Sequence, residues 1–206
     1  MMKNFIGVGP TEDEQEQQVK DWIKTNGMQI IAGVAIGLGG IWGLDAYQAY
    51  QHTQAVEART HYLNLSVNPN NDQAYAALQQ DFADSSYNQQ AKLMLAKTAV
   101  DAGDFNQALT HLEPLTQVEN ALIANVAKLR ASALHTELGQ HEQALSLLST
   151  TADDKFSGLF NHAKGDAYIA KGDTQAAIKH YQLAKAQISA DSALQNLIQI
   201  KLDDLK

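Results

Sequence analysis

The sequence predicts an all-α protein in which a single N-terminal transmembrane helix is followed by an array of paired helices. Three observations support this fold class. Seventeen consecutive residues, Met28 to Leu44, carry no charge. Three later segments repeat one helix–glycine–helix pattern. The remaining sequence shows neither the alternating polarity of half-buried strands nor an Asn-Gly hairpin signal, so we expect no β-sheet.

The composition is typical of a folded protein that does not bind nucleic acid. The 206 residues are 45% hydrophobic, and their formal net charge is -8. Sequence-blind binding to nucleic acid depends on Lys and Arg that neutralise phosphates, so this charge disfavours a nucleic-acid partner. Cysteine is absent, which excludes disulfides, thiol nucleophiles and thiolate metal sites.

The first predicted element is a short acidic tail, residues 1–27, and the second is a membrane span, residues 28–44. The glycine-rich stretch inside the span is not a nucleotide-binding loop. Trp42 stands where the dinucleotide fingerprint needs its last glycine, and no Gly-Lys-Ser/Thr follows to build a P-loop. As a helix, seventeen residues reach about 25 Å, within the range that spans a bilayer. A buried core helix is the alternative interpretation.

Flanking residues support a span and predict its orientation. Trp22 precedes the segment and Trp42 and Tyr47 lie at its other end, where aromatic rings favour lipid headgroups. A cleaved signal peptide would need a short basic start, whereas this tail is long and acidic, so we expect an uncleaved signal anchor. Lys20 and Lys24 precede the span, which predicts a cytoplasmic N-terminus and a periplasmic domain after it.

Small residues recur at helical spacing within the span. Gly33 and Gly37 form one Gly-x-x-x-Gly pattern, and Gly39 and Gly43 form a second. Such patterns allow the backbone of another membrane helix to approach closely. We expect these four glycines to be helix-packing positions.

The region between the span and the repeats, residues 45–70, is predicted to be a linker helix that continues from the membrane. The breaker Asn68-Pro69-Asn70-Asn71 ends it, and a short helix is expected from Asp72 to Phe82. The predicted periplasmic array then occupies residues 71–206.

Three segments of the array align with one another. They read DAGDFNQAL, ELGQHEQAL and AKGDTQAAI, and their glycines are spaced by 36 and then 33 residues, close to a period of about 34. A glycine can end the first helix in a left-handed conformation, and an alanine five residues later lets the second helix pack closely. The predicted turn and packing positions are Gly103, Ala108, Gly139, Ala144, Gly172 and Ala177.

The third unit matches the tetratricopeptide pattern most fully, and the other two depart from it. Gly165, Tyr168 and Tyr181 fill its small and aromatic positions, whereas Pro114 should end or kink the second helix of the first unit. Asp104 and Asp173 are placed to cap second helices. A C-terminal apolar stripe that includes Leu194, Ile198 and Leu202 predicts a capping helix for the array.

No motif in the chain indicates catalysis, a metal or another cofactor. His141-Glu142 lacks the second histidine of a zinc protease, and no Gly-x-Ser-x-Gly nucleophile elbow occurs. The sequence therefore predicts a protein that acts by binding rather than an enzyme.

The order of anchor, linker helix, repeats and terminal amphipathic helix resembles the YfgM-type family, the ancillary subunit of the bacterial SecYEG translocon. The resemblance is carried by VKDWIKTNGMQIIAGVAIGLGGIWG at the membrane, DFADSSYNQQAKLMLAKTAVDAGDFNQAL and AKGDAYIAKGDTQAA in the array, and the ending ALQNLIQIKLDDL. It spans nearly the whole chain. The resemblance implies an all-α tetratricopeptide-like fold in the inner membrane.

The resemblance also implies partners. It suggests the SecYEG translocon, the membrane-anchored periplasmic chaperone PpiD, and secreted client chains handed on to chaperones. Stacked helix pairs create a groove for a peptide or helix, and His135, Asn161 and Tyr168 on first helices are candidate groove residues, with packing or solvated surface as the alternative for each. A scaffold for another envelope complex, such as cell-division machinery, stays open as a second function.

Overall fold

The computed structural model describes residues 11–149 and 154–205, and within them the chain is helical without a strand. This confirms the predicted all-α class. The helices are α1 Glu12–Val67, α2 Asp72–Gln80, α3 Ser86–Asp101, α4 Phe105–Leu112, α5 Ala121–Glu137, α6 His141–Leu147, α7 Ser157–Lys171, α8 Thr174–Gln187 and α9 Ala193–Asp203. The chain divides into two compact units, Met1–Gln54 and Ala55–Lys206.

Helix α1 begins in the acidic tail and is continuous through Val67. Its first turn contains Glu12, Asp13 and Glu14, whose negative charges favour the positive end of a helix. One stretch of α1 is long and apolar enough to cross a membrane, and it is not buried by other parts of the protein. An apolar surface of this length without protein cover is what a bilayer would solvate. Residues 1–10 of the predicted tail lie outside the described part.

The second unit includes the last turns of α1. Ala58 and Leu65 are fully buried there and pack in one core cluster with Leu78 of α2 and Ala91 of α3. The compact unit therefore starts at Ala55, within the region that sequence analysis assigns to the linker helix of residues 45–70. The side chain of Asn71 caps α2 by accepting a hydrogen bond from the amide of Ala74.

Three helix pairs follow, α3/α4, α5/α6 and α7/α8, and each turns at a glycine. Gly103, Gly139 and Gly172 have φ values of 77°, 74° and 87°, the left-handed region where a Cβ would be strained. In the first turn, Gly103 donates to the carbonyl of Val100 and Asp104 donates to that of Ala99, both at 2.9 Å. The other two turns have the same bonds, which satisfy the last carbonyls of each first helix.

Side-chain caps start two of the second helices. The carboxylates of Asp104 and Asp173 accept hydrogen bonds from the amides of Gln107 and Ala176, which confirms the predicted caps. Gln140 precedes α6 without a capping bond from its side chain.

The alanines that follow the turns are completely buried. Ala108, Ala144 and Ala177 are each 0% exposed. Pro114 ends α4 as predicted, since the chain changes there to a 3-10 helix, Glu113–Gln117, with the proline near its start. A second 3-10 helix, Asp154–Phe156, leads into α7.

Helix α9 packs against the last helix pair. Ile198 is fully buried in a cluster with Ala177, Tyr181 and Ala184 of α8. The Tyr181 ring also lies over Gly165 of α7, so closely that a Cβ on that glycine would be 2.3 Å from the ring. This agrees with the predicted role of the C-terminal stripe as a capping helix.

Candidate interaction surfaces

The four glycines predicted to pack in the membrane lie on the exposed surface of α1. A Cβ added at Gly33, Gly37, Gly39 or Gly43 would meet nothing within 4 Å. Because a helix turns about 100° per residue, the Gly33/Gly37 pair and the Gly39/Gly43 pair lie on faces about 120° apart. The two patterns therefore form two small-residue faces, and the structure leaves both open.

In the array, a groove lies between the first helices of the first two pairs, α3 and α5. We call it the first groove. It encloses about 360 Å³, and its apolar lining comprises Ala96, Val100, Leu112, Ala133 and Leu134. The two charged side chains in its lining, Lys97 and Arg130, are both cationic.

The corresponding space between α5 and α7 is the second groove, and it has a different character. It encloses about 430 Å³ and includes the acidic side chains Glu137 and Asp166. The C-terminal end of the array forms another of its walls, through Lys201 and Leu205. The second groove is therefore partly occupied by the chain's own last helix.

A polar cluster joins α7, α8 and α9 at this second groove. One carboxylate oxygen of Asp166, Oδ1, accepts hydrogen bonds from the Tyr181 hydroxyl at 2.6 Å and from Lys201 Nζ at 2.5 Å. Nε2 of His162 lies 3.1 Å from Lys201 Nζ. Lys201 also makes a cation–π contact, because its Nζ lies 5.5 Å from the centroid of the Tyr181 ring. The cluster holds α9 in place.

Burial perturbs the protonation of this cluster. Burial and then the hydrogen bond to Asp166 raise the pKa of Tyr181, so its hydroxyl stays a donor. Burial lowers the pKa of His162, and Lys201 lowers it further, while Asp166 acts in the opposite direction. At neutral pH the cluster therefore contains a neutral imidazole beside an ion pair.

The three residues that the sequence suggests for a groove have different surroundings. His135 is buried, and its Nδ1 lies 2.6 Å from the side-chain oxygen of Gln140. Asn161 and Tyr168 come together on α7 around His180 of α8: the Asn161 oxygen lies 2.9 Å from His180 Nδ1, and the Tyr168 ring stacks on the imidazole at 5.3 Å. His135 lies apart from this pair on α5.

Sequence reasoning did not identify the charged residues of the two grooves. The repeat offsets could have found them, because shifts of 36 and 33 residues relate Lys97 to Ala133 and Ala133 to Asp166. The turn glycines give this alignment, but a charged residue on a predicted helix is usually interpreted as part of the solvent-exposed surface. Only the packing of consecutive first helices brings these positions into shared grooves.

The described residues offer surfaces for binding. Among residues 11–149 and 154–205, no group of three His, Asp or Glu side chains is arranged to hold a metal ion. The perturbed groups at the second groove are engaged with one another, as the short Asp166 contacts indicate. What this arrangement can do is accept apolar and charged side chains of another protein.

Comparison with known proteins agrees with this architecture. The tetratricopeptide repeat-like domain family matches residues 20–206. A Haemophilus influenzae protein named ancillary SecYEG translocon subunit is 33% identical over 94% of this chain and 98% of its own length. Proteins of the same name from Aggregatibacter actinomycetemcomitans and Escherichia coli are 31% and 26% identical, each over 94% of this chain and over 98% and 96% of their own lengths. No solved structure matches the chain significantly.

The family match covers the array and most of α1, and the similarity to these relatives extends along nearly the whole of each chain. The turn glycines, the paired helices and the apolar stretch of α1 all lie within the matched residues. The chain belongs to the tetratricopeptide repeat-like family of ancillary SecYEG translocon subunits.

Proposed function

We propose that this chain is an ancillary subunit of the SecYEG translocon that links secreted-protein translocation to periplasmic chaperones. In this proposal the apolar stretch of α1 anchors it in the bacterial inner membrane with the N-terminus in the cytoplasm. The array lies in the periplasm and binds a membrane-anchored chaperone of the PpiD type, or client chains. The chain acts by binding and not by catalysis.

The observation that carries the translocon half is the similarity, over nearly the full length, to relatives named for that association. The open glycine faces of α1 supply a contact of the right kind. Between membrane helices there is little hydrophobic driving force, so close backbone packing at small residues drives association. The Gly33/Gly37 face is the stronger candidate, because Gly40 lies within about 60° of both and extends it.

The chaperone half is supported by the array. Its helix pairs leave two grooves between consecutive first helices, and their linings mix apolar surface with charge. Stacked helical repeats use such surfaces to hold peptides and partner helices. The two halves of the proposed function thus belong to separate parts of the chain and can be tested separately.

The membrane contact is tested by replacing Gly33 and Gly37 together with Leu. We expect less SecYEG to co-purify with the full-length protein in mild detergent, because leucines keep a partner backbone away. Ala35→Leu is the matched control, since Ala35 lies about 180° from the Gly33/Gly37 face and gives the same small-to-large change. Equal loss with both variants, or with neither, would refute docking through this face.

The array contact is tested by a chain truncated after Asp101, which lacks α4 to α9. The truncated protein should still insert and recover the translocon, while the chaperone should no longer co-purify. Crosslinking to nascent secreted chains separates this role from a scaffold in another envelope complex. If the array without its membrane helix recovered SecYEG as well as the full-length protein does, the proposed division would be wrong.

A further inference from the structure

The first groove combines an apolar cavity with an exposed arginine, Arg130. Val100 and Ala133 are exposed at the groove while Leu112 and Leu134 form its buried floor. Lys97 pairs with Asp101 on its own helix. Arg130 is exposed, and in the described ranges 11–149 and 154–205 it forms no salt bridge. A chain with a net charge of -8 thus presents an uncompensated cation beside apolar surface.

The second groove shows how this array holds a helix at a neighbouring position of the repeat, since Asp166 corresponds to Ala133, one helical turn after Arg130. The repeat offset of 36 residues relates Val100 to Thr136, and the offset of 33 relates Ala133 to Asp166. Asp166 of that groove binds Lys201 of α9, at 2.5 Å. Leu205, four residues after Lys201, lines the same cavity. Lys201, whose charge is opposite to that of Asp166, and Leu205, which follows four residues later just past the end of α9, thus form the contact.

We propose that the first groove binds an amphipathic helix of a partner protein that carries a carboxylate one turn before a leucine-type side chain. The leucine fills the cavity, and the carboxylate pairs with Arg130. This inference rests on the proposed function, because it assigns a surface and a chemistry to the periplasmic partner of the array.

Charge and shape favour this occupant over other helices. An arginine–carboxylate contact is a strong charge-assisted pair, and apolar surroundings strengthen it. A basic helix would meet two cations, Lys97 and Arg130, with one of them uncompensated. The cavity of about 360 Å³ has room for a leucine-sized group, and burial of such a side chain from water favours binding.

The chain itself supplies a matched set of probes. The first is a labelled peptide of residues 193–205 with the lysine changed, ALQNLIQIELDDL, which places a glutamate four residues before the final leucine. The second is the native sequence, ALQNLIQIKLDDL, which retains Lys201. The third is the glutamate peptide with its final leucine changed to alanine. Fluorescence anisotropy with the full-length protein in detergent micelles measures the affinity of each.

We expect the glutamate peptide to bind at least tenfold more tightly than the other two. The native peptide also reports displacement of the chain's own α9, because it alone suits Asp166 of the second groove. Equal affinity for the glutamate and native peptides would overturn the proposal, as would binding that does not depend on the final leucine.

Protein variants locate the site. Arg130→Glu should weaken binding of the glutamate peptide at least tenfold and should shift the binding preference towards the native, lysine-bearing peptide. Arg59→Glu is the matched control, because Arg59 is the other arginine of the chain, is exposed on α1 and lies outside the groove lining. Equal loss with Arg59→Glu, or no loss with Arg130→Glu, would place binding elsewhere.

Sedimentation of the full-length protein tests the other occupant, a second copy of this chain. A concentration-dependent dimer that the glutamate peptide dissociates would assign the groove to self-association and overturn the proposal. The peptide assay contains no translocon or chaperone, so its failure leaves the proposed function standing. Conversely, if truncation after Asp101 left chaperone recovery unchanged, the proposed function would fail even where the peptide binds.

Discussion

At the scale of single residues, the contact between Gly165 and Tyr181 shows how closely α7 and α8 pack. The tyrosine ring occupies the space that any larger residue at position 165 would need, and Asp166 fixes its hydroxyl at 2.6 Å. The ring cannot swing away without losing that bond and the cluster around Ile198. A glycine that would weaken an isolated helix here stabilises the helix pair.

Gly165→Ala should therefore destabilise the array by about 1–3 kcal/mol, because the added methyl overpacks a fixed ring. Gly158→Ala on the same helix is the matched control. Its added Cβ would be 2.6 Å from Cγ1 of Ile188, an aliphatic atom that, unlike the Tyr181 ring, is not fixed by a side-chain hydrogen bond. Urea unfolding of both variants measures the difference, and similar midpoints would mean that the Tyr181 ring yields as easily as Ile188.

His162 should make the stability of the array depend on pH. Burial holds its pKa below the ordinary value of 6.5, so the folded state favours the neutral imidazole. Well above pH 6.5 the group is neutral in both states and its contribution to stability is constant. As the pH falls from there through the lower pKa of the folded state, the unfolded chain binds the proton more readily and stability is lost.

The measurement is the urea midpoint at several pH values between 7.5 and 5. His162→Gln should reduce the loss of stability on acidification, without abolishing it, because burial also lowers the pKa of His111 and of His180. His52→Gln, a change of an exposed residue on α1, is the control and should keep the wild-type slope. A His162 variant with the wild-type slope would show that this imidazole does not couple to folding.

Residue-level prediction worked where backbone geometry dictates the residue type. The glycines of the three turns and the aspartates at α4 and α8 follow from local rules of helix ends. The Asp166–Lys201 contact joins residues 35 positions apart, so no local rule could find it. Arg130 belongs to no sequence motif, and only the cavity that it lines makes it a candidate binding residue.

At the scale of elements, the helix ends are built from a shared turn and differing caps. The first helices of the three pairs end with the same two backbone hydrogen bonds, one donated by the left-handed glycine and one by the residue after it. Of the second helices, α4 and α8 have aspartate caps, whereas Gln140 before α6 interacts through its side chain with His135 instead. The stability of the second helices should therefore depend on different residues.

Asp173→Ala should cost about 0.5–2 kcal/mol, because the amide of Ala176 loses its acceptor at the start of α8. Asp173→Asn is the matched control, since asparagine can cap a helix in the same way without the charge. Thermal unfolding followed by circular dichroism measures both variants. If the alanine variant had the melting temperature of the wild type, the Asp173 cap would make no net contribution to stability.

Most elements could be predicted from the sequence because helices, turns and breakers have short-range causes. The breaker Asn68–Asn71 predicts the end of α1, and Pro114 predicts the change from an α-helix to another conformation that the structure shows there. The start of the second compact unit at Ala55 was not predicted. It depends on Ala58 and Leu65 packing against α2 and α3, and an alanine and a leucine within a long helical pattern do not reveal their partners.

At the scale of the whole molecule, the proposed topology places the apolar stretch of the first compact unit in the lipid bilayer and the second compact unit in water. The first unit contains the apolar stretch, whose exposed large side chains include Ile31, Ile36 and Trp42. The second unit has core clusters of its own, which include Leu78, Leu112 and Ile198. The lysines that precede the apolar stretch, Lys20 and Lys24, predict which side of the membrane the tail occupies.

Protease added to spheroplasts should digest the chain after Asp45 and leave the tail intact. Tags at the N-terminus and near the C-terminus, each detected with its own antibody, report the two sides. The matched control is the same treatment after detergent lysis, which should expose both tags. Protection of the C-terminal tag in intact spheroplasts would reverse the orientation.

The attachment of α9 has a consequence for the order in which the chain folds. The helix pairs join neighbouring segments through short turns, so each can form soon after its second helix has been synthesised. The Asp166 site is different, because it needs Lys201, which leaves the ribosome 35 residues later. Until then Asp166 can accept the hydrogen bond of the Tyr181 hydroxyl but lacks its ion pair with Lys201. The helix pair α7/α8 therefore completes its contacts only after α9 has been synthesised.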